Sequence, residues 1–470
     1  MSQFVGIDIG ASFVKGAVFD LQTGSIHSIV KYPSPENNLT HSGSAPLRFE
    51  IDGKEYVALA KKIIDTFLSR HDNIEGIVFS TQMHGMILVD SENTPLSPFI
   101  GWQDERLLET NLKTGVTWMD EVHNRLIDID TLQTGITLRS GLMGSTLFWL
   151  QQNNKLIPTS KALFLADFVA VSLTSGKACV DVTNACGSGL FNTKKGSWDK
   201  IICRALHIPL SVLPDVVPTG TSIGALNLNG KQIPVYVSVG DLQAAVLGSL
   251  VKPKTELSIN IGTGSQISII HDRFQSGNYD IRSFFDNSYL YTVTHLPAGR
   301  ALNVIIALIK NFSKSVLKKN INDTEIWGNL LSSLHKKKNS EGLKANISFF
   351  KNNATSMQTG AFSSITEHNF TVENIFYAAI TSMSHNYYQA FQRLPGHETI
   401  DQIICSGGVI RQIKELQDCI RKTFQKPLQM AQYEEETLVG LFIIARYCRH
   451  DFDTIKAASD SVKNQPIRFA

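Results

Sequence analysis

Two stretches of this chain carry nearly the same pattern, VGIDIGAS at residues 5–12 and LSINIGTG at residues 257–264, with the matched Gly10 and Gly262 lying 252 residues apart. In each, an apolar strand pattern runs into a turn of Gly, Ala, Ser or Thr and then into a second β-rich run, Phe13 to Phe19 and Gln266 to Ile270. Turns with so little side-chain bulk let backbone N–H groups close on an anion such as a phosphate chain. A device repeated about one domain length apart points to two related domains facing each other across a cleft, each gripping one side of a nucleotide. The copies differ at one telling place, where Asp8 stands in the first and Asn260 in the second. Only the first can attract a metal ion; the second can only hydrogen-bond.

At 470 residues the chain exceeds the span of a single core, so two large domains are expected. Its 43% hydrophobic and 18% charged content is that of an ordinary globular protein. A net charge of +2 argues against nucleic acid as a partner, because such proteins concentrate a large basic excess. The run Lys336, Lys337, Lys338 reads as a solvated helix end or loop. No signal peptide opens the sequence, and no apolar run is long enough to span a bilayer, so neither export nor a membrane is expected. The six cysteines form no CxxC pair and no zinc-site spacing with His. They read as reduced, buried small hydrophobes of a cytoplasmic protein. A homodimer is left open.

Strand and helix signals alternate. Glu55 to Leu68 has helical periodicity, and Ile74 to Ser80 is a β-type run ending in the polar stretch Thr81 to Gly85. Val235 to Val239 is a further β-type run, ending at Gly240 and Asp241 and leading into a helix near Gln243. Phe370 to Arg393 is a long helical region with Thr371 as N-cap. Gln402 to Cys405 reads as a last strand, followed by Gly407, Gly408 and a helix from Val409 to Phe424; Thr437 to Arg449 is a buried helix. The stretch 311–356 looks peripheral, with Trp327 to Leu334 its one clear helical piece. The boundary between domains 1–247 and 248–470 is placed at a packed hinge between Leu247 and Thr255.

The chemistry should collect where strand ends meet the cleft. Asp8, between an apolar strand and the glycine turn, either caps its own turn or offers a carboxylate to the Mg²⁺ that accompanies ATP. Asp241, at the end of an apolar strand, costs desolvation unless it has a partner or a task. It is either a helix N-cap or the general base that takes a proton from a hydroxyl attacking the γ-phosphate. Gln82 and His84 offer hydrogen-bonding groups. Trp102, Asp104 and Arg106 add an apolar face, a carboxylate and a guanidinium, the two kinds of contact a polyhydroxylated substrate needs. Locally, a structural histidine and a core tryptophan serve as well.

The order of these features adds what no single motif carries. TQMHGM (81–86), GWQDER (101–106), TLFWL (146–150), FNTKKGSWD (191–199) and GDLQAAV (240–246), with Ser265-Gln266 after the second turn, make the chain resemble the FGGY carbohydrate kinases over essentially its whole length. Within the family the likeness is greatest to kinases of the seven-carbon ketose sedoheptulose, with xylulose or another pentulose as the rival substrate and glycerol further off. The resemblance implies an α/β fold of two actin-like, ribonuclease H-like ATPase domains closing over sugar and ATP. It implies Asp241 as general base, meeting the sugar's terminal hydroxyl, and Asp8 at the Mg²⁺ site. Gly10, Ser12, Lys15, Gly262, Thr263 and Gly264 would flank the phosphates, and Gly407 and Gly408 the adenosine. Gln82, His84, Trp102, Asp104 and Arg106 would face the sugar. Two family features are missing: Val409 replaces the third glycine of a Gly-Gly-Gly run, and Ala379, Ile380, Thr381 stand where a Glu-Gly pair is usual. Pentulose kinases more often show Gly-Asp-Asn where this chain has Gly240, Asp241, Leu242. An actin-like ATPase with no sugar site is the reading from another class; it would leave residues 82–106 without a purpose.

Overall fold

A computed structural model describes residues 2–37, 47–228, 230–335, 337, 339–350 and 359–469. Of the basic run, Lys336 and Lys338 lie outside the described residues, while Lys337 pairs with Glu341 at 2.7 Å.

Both hairpins form as the sequence implies. Gln3–Ile9 pairs antiparallel with Phe13–Asp20, and Glu256–Ile261 with Ser265–His271. Each lies at the centre of its own sheet, because an apolar strand buried on both faces belongs there. In the first sheet Gln3–Ile9 also pairs in parallel with Ile74–Thr81, which in turn takes Lys231–Tyr236 and Val239–Gly240. In the second, Glu256–Ile261 pairs in parallel with Gln402–Ser406, and that strand with Leu428–Met430. On the other flank, Ser25–Pro33 continues the first sheet and Tyr289–Leu296 the second, each antiparallel to its hairpin. The same strand order thus occurs twice. The likeness reaches side chains: Ser80 Oγ donates to Asp8 Oδ1 at 2.8 Å, and in the matching register Asn260 Nδ2 donates to Ser406 Oγ at 2.8 Å.

Two buried cores accompany the two sheets. One takes in the apolar residues of the first 250 positions, the other those from Leu257 to Leu428. The end of the chain returns to the first core: Leu438 to Ile467 pack there, and Arg468–Phe469 adds a strand to Ser25–Pro33. The helices Asp241–Ser249 and Glu436–Cys448 cross at backbone contact, where a Cβ on Gly440 would lie 2.0 Å from the Ala244 carbonyl and one on Gly248 2.0 Å from that of Glu436.

Several boundaries differ from the sequence reading. The run Val235 to Val239 is broken into two short strands, with Val237 and Ser238 between them. The helix after Gly240 begins at Asp241 itself. The stretch Val409 to Phe424 is two helices, Gly408–Gln412 and Lys414–Phe424, because Ile413 leaves helical geometry at φ −105, ψ 91. The segment near 311 is less bare than expected: the helix Gly299–Ser315 runs into it and Asp323–Leu334 follows. Thr371 caps its helix, accepting from the Asn374 N–H. All six cysteines are free and buried. No helix among the described residues is long and apolar enough to cross a membrane.

Candidate active site

Asp8 is the penultimate residue of the first strand, Gln3–Ile9, and is almost wholly buried. Burial pushes its carboxyl up to about 6, against the opposing charge of Lys15 and the Ser80 hydrogen bond. Lys15 stands directly across the hairpin from Asp8 and gives its ammonium to Glu435. Asp241 is half-buried at the first position of its helix, with Gly240 as the capping residue. Its Oδ1 accepts from the Leu242 N–H at 2.7 Å. Burial, and next the charge of Asp8, raise it to about 7, with Arg282 pulling the other way. The N-cap alternative therefore fails in detail: Asp241 is a helical residue, and its charge is felt together with that of Asp8.

The first glycine turn begins two residues after Asp8. Gly10 spends its N–H on Phe13 O, and the exposed Ala11, Ser12 and Phe13 form the tip of the first turn. In the second turn the Gly262 N–H bonds Gly264 O. The carbonyls of Gly262 and Thr263 accept from Gly299 and Arg300, which docks the Gly299–Ser315 helix against the turn. Gly407 has φ 97, and a Cβ there would lie 2.4 Å from Ile261 O, so only glycine fits. At Gly264 and Gly408 a Cβ would project into open space, with no atom of a described residue other than its neighbours in the chain within 4 Å. These are open, side-chain-free surfaces of the kind a nucleotide needs. Val409, in place of a third glycine, packs its Cγ2 toward Gly299.

His84 has φ 68, a strained value for a non-glycine residue, and is fixed by Nδ1 against the Gly187 carbonyl at 2.7 Å. Burial, then Arg282 and Arg139, hold it well below the usual histidine range, so it presents a neutral ring. Trp102 is 42% exposed. Gln82 is buried and its amide meets the Tyr56 hydroxyl, which makes it a support beneath the His84 loop.

Asp104 and Arg106 correct the sequence reading. Each is 1% exposed. Asp104 Oδ1 accepts from Arg106 Nε at 2.7 Å, and its Oδ2 accepts from the Phe49 N–H and Arg106 Nη2; Arg106 Nη2 also reaches Glu50 Oε1 at 2.6 Å. Paired with one another and buried, they hold the Trp102 loop rather than meet a sugar.

The sequence reading missed the scaffold behind Asp241. Thr183 Oγ1 accepts from the Gly240 N–H while donating to Asp181, and Gln243 Nε2 ties Thr183 O to Ser283 O. Ser238 donates to buried Asp167 and accepts from Asn184. Asp167, an acid within the apolar run ALFLADFVAV, was the available signal. Arg139, Arg282 and His295 were also missed.

No group of three His, Cys, Asp or Glu side chains gathers as a metal cluster among the described residues. A cation here would lean on Asp8, with water and phosphate oxygens completing its shell, which is the sparse protein ligation Mg²⁺ commonly has. The charge of Asp8 raises the proton affinity of Asp241, and a cation beside Asp8 would relieve it.

Among solved structures, the fold matches a xylulose kinase from Lactobacillus acidophilus at TM-score 0.81 and 18% identity, covering 97% of this chain and 91% of that one. It matches Plasmodium falciparum glycerol kinase with ADP at TM-score 0.80 and 17% identity, covering 98% and 92%. At such identities the likeness establishes the fold, the two-lobed arrangement of FGGY kinases. By sequence the chain is 27% identical over 351 residues to xylulose kinase from Staphylococcus xylosus, covering 70% of this chain and 68% of the relative. It is 27% identical over 279 residues to glycerol kinase 2 from Sulfolobus acidocaldarius, covering 56% and 52%. The alignments thus span from about half to two thirds of these relatives' lengths. The model for the N-terminal domain of the FGGY family of carbohydrate kinases matches residues 3–248, more than half of the chain, and the chain belongs to that family.

Proposed function

We propose that this protein transfers the γ-phosphoryl group of MgATP to the terminal primary hydroxyl of a ketose, with sedoheptulose giving its 7-phosphate as the first substrate to test. The observation that carries the reading is the placement of Asp8, two residues before the Gly10 turn, and of Asp241, directly after Val239–Gly240 of the same sheet, where the Asp8 charge helps raise Asp241 to about 7. MgATP supplies the phosphoryl group and the charge that balances the carboxylates. Asp241 takes the proton of the attacking hydroxyl, and its elevated pKa makes it a better proton acceptor near neutrality than an ordinary carboxylate. Asp8 holds the metal side. The turns at Gly10 to Ser12 and Gly262 to Gly264 position the phosphates, Lys15 contributes charge beside them, and Gly407 and Gly408 border the adenosine. His84 and Trp102 face the sugar. The same reading takes 1–247 and 248–470 as the two domains, with the last helices returning to the first, and the protein as cytoplasmic.

Xylulose or another pentulose is the second reading, favoured by the xylulose kinases among the relatives. ADP release measured with ketoses of five, six and seven carbons and with glycerol decides between them. The largest kcat/KM with sedoheptulose supports the first reading. Absence of any acceptor-stimulated release sinks both.

A further inference from the structure

The sugar side of the cleft holds fixed positive charge that transfer to an uncharged ketose does not use. Arg282 sits on the edge strand Asp280–Ser283 and is 3% exposed. Its Nη1 points at Met83 Sδ, 3.1 Å away, its Nη2 lies 3.3 Å from Asp280 Oδ2, and its buried Nε has no hydrogen-bond partner. A thioether is a weak acceptor, and 3.3 Å is long for a charge-assisted contact. Met83 precedes His84 and lies against Gly240, so this guanidinium borders both the His84 loop and the base.

Arg139 is the second cation. Half-buried, it has no side-chain hydrogen bond or ion pair among the described residues. It directly precedes Ser140, which donates to Asp104 O, and Gly141, whose carbonyl accepts from the Gly85 N–H. That fastening places it beside the same loop. His84 and His295 both lie near the two arginines and are held neutral by burial, so they add no charge of their own. Asp280 is the carboxylate that both guanidiniums face, and they share it. Two cations withdrawn from water around one carboxylate remain under-neutralised, a costly arrangement unless a ligand completes it.

We propose that the acceptor sugar carries an oxyanion, a carboxylate or a phosphate, on a carbon other than the one phosphorylated, and that Arg139 and Arg282 bind it beside Met83 and His84. Planar guanidinium forks match either oxyanion with paired N–H donors. The inference rests on the proposed phosphoryl transfer and departs from its first substrate, putting an acceptor with one charged end in place of uncharged sedoheptulose.

The test pairs compounds of equal carbon number on the full-length chain: D-xylonate and D-gluconate, D-ribulose 1-phosphate and D-fructose 1-phosphate, against D-xylulose and D-fructose, with sedoheptulose added. Each is followed by ADP release and, independently of turnover, by calorimetric titration. At least one anionic compound should exceed its neutral counterpart by about 100-fold in kcat/KM or affinity, the scale of a hydrogen-bonded charge pair. Aldonates alone responding identifies a carboxylate; 1-phosphates alone, a phosphate. Arg139→Gln and Arg282→Gln should each reduce the anion-to-neutral ratio by tenfold or more. Should Arg282→Gln fail to fold, the less buried Arg139→Gln and the wild-type ratio still decide. Preference for a neutral ketose, a ratio unmoved by both substitutions, or failure of every anionic compound to bind overturns the inference. Anion binding without ADP release would instead overturn phosphoryl transfer and leave this site standing.

Discussion

Asp8 and Asp241 both surrender water on folding and recover only part of what they lose. For Asp8, the Ser80 hydroxyl and the charge of Lys15 offset burial incompletely, and its carboxyl rises from the ordinary 3.8 to about 6. A folded-state pKa above the unfolded one means that the folded chain holds a proton the unfolded chain releases. Stability is therefore lost as pH rises from about 4 to about 6 and stays lost above that. Asp8→Asn, which keeps an acceptor for Ser80, should resist unfolding better than wild type at pH 7.5 by up to about 3 kcal/mol, and no better below pH 4. Denaturant melts without Mg²⁺ check this; an equal difference at both pH values refutes it. At Asp241, with burial first and Asp8 second raising it to about 7, the proposed base is active only when deprotonated. The kcat/KM for the sugar should climb with pH as one proton leaves and level off above about 7. Asp241→Asn should bind ATP normally yet lose on the order of 10²-fold or more in turnover. Near-wild-type turnover by that variant would remove Asp241 from the role.

The elements that hold these carboxylates were unequally readable. The two hairpins were legible because strand, turn and strand are adjacent and alternate in a pattern that local sequence carries in full. Asp8 was legible for the same reason. Asp104 and Arg106 were singled out correctly as a pair and misjudged in role, because what seals them, Glu50 and the Phe49 N–H, lies more than fifty residues away in sequence. The edge strand Asp280–Ser283 escaped notice because its meaning is tertiary. It belongs to the second sheet yet is stitched to the first lobe through Gly135 O and the Gln243 amide. The helix crossing was hidden likewise: Gly248 and Gly440 are unremarkable in sequence and become decisive only where two backbones touch. Placing a Cβ 2.0 Å from a carbonyl requires the helices to part. Gly440→Ala should destabilise the chain by about 1–3 kcal/mol. Because the crossing carries Asp241, kcat should fall with it. Thermal melts and steady-state rates measure both, and an unchanged melting midpoint would show that the crossing relaxes at no cost.

Across the whole molecule, two lobes of matching strand order are joined through the stitched edge strand, the helix crossing lies within the first core, and Gly264 and Gly408 present open backbone on the second lobe. The proposed chemistry gives closure a purpose, since a carboxylate poised to deprotonate a hydroxyl would serve water equally well if the phosphates were always in place. Sugar and nucleotide contact different lobes in this reading, His84 and Trp102 on the first, Gly262 to Gly264 and Gly407 on the second. Either ligand alone thus bridges less of the gap than both together. Small-angle scattering should show the radius of gyration shrinking when acceptor and a non-hydrolysable MgATP analogue are present together, and changing little with either alone. ADP release without acceptor should run at least about tenfold slower than with it, as expected when substrate binding completes the site. A full contraction on nucleotide alone, with release indifferent to sugar, would return the molecule to the class of actin-like ATPases that need no sugar at all.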